Sequence, residues 1–219
     1  DVIEKIYATM GDWEVNAEKI PFAVTSVEYG ERMVAVKPMM DKSQVNIELG
    51  HKGLTRSNPD CYTFDLMNRI LGGSAGIARL FGRVRDVQGL AYSVWSSFSP
   101  LLGEGPFYAS AGVNPNNVDR AIESILHEIE LIKSEGITDQ ELSDAQNLVV
   151  GNFVLTLETN KGIASVLLSA ELYGLGLDYP ARHESIYRSI TRAQVNAVAQ
   201  RYLHPDKCCI AIAGPYRGK

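Results

Sequence analysis

Val118, Ala121, Ile122, Ile125, Ile129 and Ile132 recur at helical spacing behind Asn117, and Gly136 closes the run. Directly after it, Thr138-Asp-Gln-Glu141 has the pattern of a capping box and opens a second long helix. Two long helices in succession, with no strand between them, exclude an alternating βαβ order and its parallel sheet. Strand patterns come earlier, in "SQVNIELG" at 43–50, "LAYSVWSSFS" at 90–99 and "PFYASAGV" at 106–113. Pro100, Gly103, Gly105 and Pro106 lie between the last two, which predicts that those strands pair with each other. "AVTSVEYGERMVAVKPM", with Gly30 between Val-rich runs, reads as a further hairpin.

Shorter helices fill the rest. Asn58-Pro59 starts one whose stripe is Tyr62, Leu66, Met67 and Ile70 and whose end is Gly72-Gly73. Ser74 is placed to cap the next, with Ile77, Leu80, Phe81, Val84 and Val87 on one face and Gly89 as the stop. Another helical stretch covers about 161–173, Thr191-Arg-Ala-Gln194 is a second capping box, and a strand around Ile210 comes last. The order predicts an α+β fold, an antiparallel sheet with helices packed on one face. Residues 21–219 read as one domain, and residues 1–20 as a short helix and polar linker, the tail of a preceding domain.

A hydrophobic share of 45% over 219 residues is enough for a real core. The net charge of -5 is interspersed and contains no Lys/Arg run, so a nucleic-acid partner is not expected. No apolar stretch reaches bilayer length and no leader pattern opens the chain, so the expectation is a soluble protein with no membrane partner, cytoplasmic or periplasmic. Cys208 and Cys209 are neighbours in an apolar strand and point to opposite faces; they read as buried thiols, not as a metal pair.

The histidines, His51, His127, His183 and His204, are scattered. "HEIEL" at 127–131 approaches the inverted zinc motif H-x-x-E-H, but Leu131 stands where the second histidine belongs, and no metal site is expected. "LGGSAG" at 71–76 lacks the ending of a phosphate loop, and no G-x-S-x-G is present. Arg85 and Tyr92 stand apart from this. Arg85 borders the buried helix face beside Phe81, whereas Arg79, Arg83 and Asp86 fall on the solvent side. Its place in the last helical turn also suits a cation that complements the helix dipole, and Tyr92 also suits the core of a strand.

"LGGSAGIARLFGRVRDVQGLAYSV", with "NPD" and "MNRILGG" upstream and "GITDQELSDAQNLVVGNF" downstream, resembles the C-terminal half of the pitrilysin/insulinase-type zinc peptidases over about residues 21–216. The resemblance implies one of two homologous α+β halves that enclose a chamber, with zinc held by H-x-x-E-H in the N-terminal half and no cofactor in this chain. It implies that Arg85 binds the peptide near the scissile bond and that Tyr92 gives its hydroxyl to the developing oxyanion. Gly72 and Gly73 match the place of a longer glycine-rich substrate loop in the alpha subunit of the mitochondrial processing peptidase. The implied partners are the N-terminal catalytic half, fused or separate, and a peptide substrate. The helix "PDCYTFDLMNRIL" contains no histidine, so this half is not expected to cleave peptides alone. The alternative is a non-catalytic scaffold with the processing-peptidase fold, like the core subunits of the cytochrome bc1 complex; Arg85 and Tyr92 together favour the first reading.

Overall fold

The computed structural model describes residues 1–13, 28, 30–74 and 76–218. Side-chain alternation decides how its strands lie. In β2 (Val45–Lys52) Val45, Ile47 and Leu49 are buried while Asn46 and Glu48 are exposed. β4 (Pro106–Val113) and β5 (Cys209–Gly214) alternate in the same sense, burying Phe107, Ala109, Ala111, Ile210 and Ile212. One face of the sheet therefore belongs to the core and the other is open. With β1 (Val34–Pro38) and β3 (Ala91–Phe98) the strand order is β1-β5-β2-β4-β3.

Helices cover the buried face, as expected for this α+β class. α2 (Cys61–Asn68) is joined to the sheet by Phe64, whose ring meets Phe98 at 4.6 Å and Phe107 at 5.5 Å. α3 (Val118–Ser134) presents Ala121, Ile125, Ile129 and Ile132, all fully buried, so its sequence stripe is its core face. α4 (Asp139–Leu157) opens on the Thr138/Glu141 capping box, and α7 (Arg192–Tyr202) on Thr191/Gln194. α5 (Asn160–Leu172) and α6 (Tyr179–Arg188) lie between them. α1 (Val2–Met10) buries no residue. Among the described residues no helix is long and apolar enough to cross a membrane.

The strands flanking "SPLLGEGP" pair as expected, with Phe98 opposite Phe107. β2 is antiparallel to both β4 and β5. The departure is at the far edge, where β1 runs parallel to β5. Nearly the whole chain, with all its packed helices, connects those two strands, so no short turn imposes an antiparallel pairing. The first arm of the predicted hairpin, 23–27, and the linker at 14–20 lie outside the described residues. Two local expectations are corrected. Ser74 does not cap the helix that follows, which begins only at Arg79: its hydroxyl is buried with no hydrogen-bond partner among the described residues. Cys208 is buried but Cys209 is exposed, because adjacent strand residues face the core and the open side in turn.

Candidate functional site

Between α2 and β3 the chain twice widens from α to π geometry, first over Arg69–Gly73 and then over Phe81–Val87. A π turn takes up more than 3.6 residues, so a face projected at ordinary α spacing drifts. Leu80 and Val84 are fully buried as expected, but Val87 is 74% exposed, and Ile77, in the turn before the helix starts at Arg79, is 56% exposed. Phe81 and Arg85, four residues apart, are stacked, with the guanidinium carbon 4.6 Å from the ring centroid. The helix ends where Gly89 turns to φ +62, and the amides of Gly89 and Leu90 return to the carbonyls of Arg85 (2.9 Å) and Val84 (3.0 Å). This glycine-terminated reversal, with Leu90 buried beneath it, starts β3 directly below Arg85.

β3 begins with an irregularity. Ala91 stands opposite Val113 and Ser93 opposite Gly112, so Tyr92 is the additional residue of a β-bulge. A bulge re-aims the side chain it carries. Tyr92 is accordingly 79% exposed, and its ring centroid lies 6.0 Å from the Arg85 guanidinium carbon. The structure thus brings the two residues together, with Phe81 as the second aromatic wall. Tyr92 is not a core residue of the strand. Arg85 has no carboxylate partner among the described residues. On its outer side β3 has no strand partner among the described residues, so the pair sits at the start of an open sheet edge.

The ground under this pair is tied down on several sides. Arg79 donates to Glu141 at 2.6 Å and 2.9 Å and to the Gly136 carbonyl at 2.8 Å, which fastens the approach to the π-helix onto the start of α4. This corrects the expectation that Arg79 is solvated: it is the first residue of the helix and faces α4. Burial works against ionisation of Glu141, but hydrogen bonds from Arg79 and Thr138 outweigh it and hold the carboxyl below its ordinary range. Gln88 donates to Ser124 of α3 at 2.8 Å, fixing the other end. Glu128, buried on α3, has its carboxyl pushed up by burial against the opposing pull of Arg83 and Arg79. Arg79 and Gln88 were not legible as positioning residues, because their partners lie 62 and 36 positions away.

Gly72 is buried where the first π turn passes β3: a Cβ there would come within 2.6 Å of the Ser96 amide nitrogen. A Cβ on Gly73 would stand 2.8 Å from the side-chain Nδ2 of Asn68. Asn68 in turn accepts a 2.7 Å hydrogen bond from Ser96. Close approach to the β3 backbone constrains Gly72, and the Asn68 side chain crowds Gly73.

Among the described residues no group of three or more His, Cys, Asp or Glu side chains is gathered for a metal. His127 and Glu130 are both exposed on α3. Asp65 of α2 is occupied, accepting from the Tyr187 hydroxyl at 2.8 Å and pairing with Arg69 at 3.4 Å. His183 is buried and stacked on Phe153 at 3.7 Å, and burial pushes it down to about 4, with Arg56 adding and Asp65 opposing.

Three comparisons bear on this arrangement. The family model described as the peptidase M16 inactive domain matches residues 1–149. An uncharacterized zinc protease of Streptomyces coelicolor is 30% identical over 177 residues, covering 80% of this chain and 38% of that protein. One from Bacillus subtilis is 34% identical over 119 residues, covering 54% of this chain and 29% of that protein. The chain thus spans well under half the length of these curated relatives. The solved peptidase M16 inactive domain from Pseudomonas fluorescens superposes with a TM-score of 0.79 at 27% identity, over 90% of this chain and 47% of that one.

Proposed function

The chain belongs to the peptidase M16 inactive-domain family, and we propose that it is the half of a zinc metallopeptidase that binds no metal and lends Arg85 and Tyr92 to a peptide held against a zinc-bearing N-terminal half. The observation that carries this reading is the exposed corner where a bulge turns Tyr92 outward beside an Arg85 that has no carboxylate partner among the described residues. A core would not select an exposed phenol, and a structural ion pair would supply the arginine with an acid.

The zinc of the other half supplies an activated water and a polarised carbonyl. This chain's part is electrostatic. The Tyr92 hydroxyl donates a hydrogen bond to the carbonyl oxygen as negative charge gathers there, and its mounting on a sheet means that little reorganisation accompanies the reaction. Arg85 acts earlier, attracting the peptide and fixing its course past Tyr92. The open edge of β3 offers main-chain groups to an extended substrate on the same side. Gly72 supports this frame by letting the π turn lie against β3, and Gly73 adjoins it at the place that the family resemblance gives to substrate.

Peptide hydrolysis by three preparations tests the assignment: this chain, an N-terminal half carrying H-x-x-E-H, and the two joined or mixed. The expected result is turnover only when both are present. Full turnover by the N-terminal half alone would make this chain a scaffold, and turnover by this chain alone would contradict the reading outright.

A further inference from the structure

A second site lies at the opposite end of β3. Six residues of strand, 93–98, lie between it and Tyr92, about 20 Å at the usual rise per residue. It is a cavity of about 310 Å³ between the β3–β4 loop and the α4–α6 helices, within the lower range of small-ligand pockets. Its walls are mostly apolar: Phe153, Tyr173, Tyr179 and Leu175, with Pro100 at the loop side. Arg56 brings the only charge to this lining, and Ser165 and Ser169, one turn apart on α5, bring hydroxyls.

Arg56 is unusual among the arginines of this fold. It is half-buried and forms no ion pair with any described residue. Its backbone amide donates to the Leu101 carbonyl at 2.7 Å, which pins it to the β3–β4 loop. The guanidinium lies 4.5 Å from the Tyr62 ring centroid and 6.0 Å from that of Tyr173. Two of its donors are used, one to the Tyr62 hydroxyl at 3.1 Å and one to the Cys61 sulfur at 3.5 Å. The Tyr179 hydroxyl is a further hydrogen-bonding neighbour, so the cation is surrounded by phenols and a thiol and by no carboxylate among the described residues. A partly buried cation beside aromatic rings, with no ion-pair partner among the described residues and at the wall of an apolar cavity, has the chemistry to receive an anion.

We propose that this cavity binds a carboxylate that carries an apolar or aromatic body, with Arg56 taking the carboxylate and Phe153, Tyr173 and Tyr179 enclosing the body. A phosphate ester fits less well, since one guanidinium and no lysine face the cavity and a second negative charge would be left without a partner. Ser165 and Ser169 bring hydroxyl donors to the same lining. A free organic acid and the C-terminal carboxylate of a peptide share this chemistry. The site is independent of the Arg85/Tyr92 corner and of its assigned role.

The test uses 3-phenylpropionate, its neutral amide, and a phenylalanine-terminated tetrapeptide with either a free or an amidated C-terminus, titrated into the chain by calorimetry and NMR. Saturable binding of the carboxylates, with the amides at least ~10-fold weaker, is expected. Arg56→Gln should weaken the acids by a similar factor. Ser165→Phe, on the exposed helix α5, should block the cavity while leaving Arg56 and its contacts intact, and unfolding midpoints establish that each variant is folded. Binding of the free-ended peptide identifies a peptide terminus as the source; binding of phenylpropionate alone identifies a free acid. Equal affinity for acid and amide, unchanged binding in the folded variants, or no saturable binding of either carboxylate overturns the proposal.

Discussion

His183→Phe isolates the contribution of one buried imidazole to acid stability. The ring is 5% exposed, lies nearly parallel to Phe153 at 4°, and leaves Nδ1 without a hydrogen-bond partner among the described residues. Burial holds its folded-state pKa near 4, against 6.5 for a free imidazole. Between those values the unfolded chain binds the additional proton, so stability falls as the pH falls from about 6.5 towards 4. Each unit of separation corresponds to about 1.4 kcal/mol, which makes the full loss about 3 kcal/mol as an upper bound. Phenylalanine preserves the stack and removes the titration. At pH 7 it also removes a buried polar atom that has no partner, a gain of about 1 kcal/mol. Urea unfolding of both proteins at pH 7, 6 and 5 supplies the comparison, and carboxylates and His51 cancel because both proteins carry them. The variant's stability should fall less steeply, the difference approaching one proton. Parallel pH profiles for the two proteins would refute the reasoning.

The Arg79–Glu141 pair is mostly buried, with side chains 17% and 26% exposed, so Arg79→Met should cost about 2 kcal/mol in chemical denaturation, between the surface and fully buried cases. Because Glu141 is held below its ordinary pKa, its share of stability is present above the unfolded value near 4.5 and is lost as the pH falls through the folded one; Glu141→Gln should flatten that acid limb. Gly72→Ala places a Cβ against the β3 backbone and should destabilise by about 1–3 kcal/mol, seen as a lowered unfolding midpoint. Metal analysis of the dialysed chain should find no stoichiometric zinc, and a tightly bound ion lost on His127→Ala would show that the "HEIEL" segment was misjudged.

Much of the fold was legible because its determinants are local. The isoleucine stripe of α3, the Thr138/Glu141 and Thr191/Gln194 boxes, and the turn residues ahead of β4 each specify structure within a few positions. What escaped was set by distance or by altered helical pitch. The parallel β1–β5 pair joins opposite ends of the chain. The π turn over Phe81–Val87 leaves Val87 outward, and the helix begins only at Arg79, which leaves Ile77 exposed in the preceding turn and Arg79 paired with α4. Glu141 was legible as a cap but not as the partner of Arg79, since the capping pattern accounts for the residue by itself. Tyr92 was singled out by its company with Arg85 in a familiar segment; the bulge that turns it outward has no sequence signature here, because no glycine marks it.

The most direct test of the central claim is steady-state kinetics of Tyr92→Phe in the assembled two-half enzyme, with the unfolding midpoint measured on the same protein. A phenylalanine keeps the ring beside Arg85 and removes only the hydroxyl. If that hydroxyl stabilises the oxyanion, kcat should fall by about 10²- to 10³-fold while KM and the midpoint stay near the parent values. Arg85→Ala in the same assay should raise KM as well, because a cation near the peptide acts before charge develops. Normal kcat in a folded Tyr92→Phe enzyme would contradict the account.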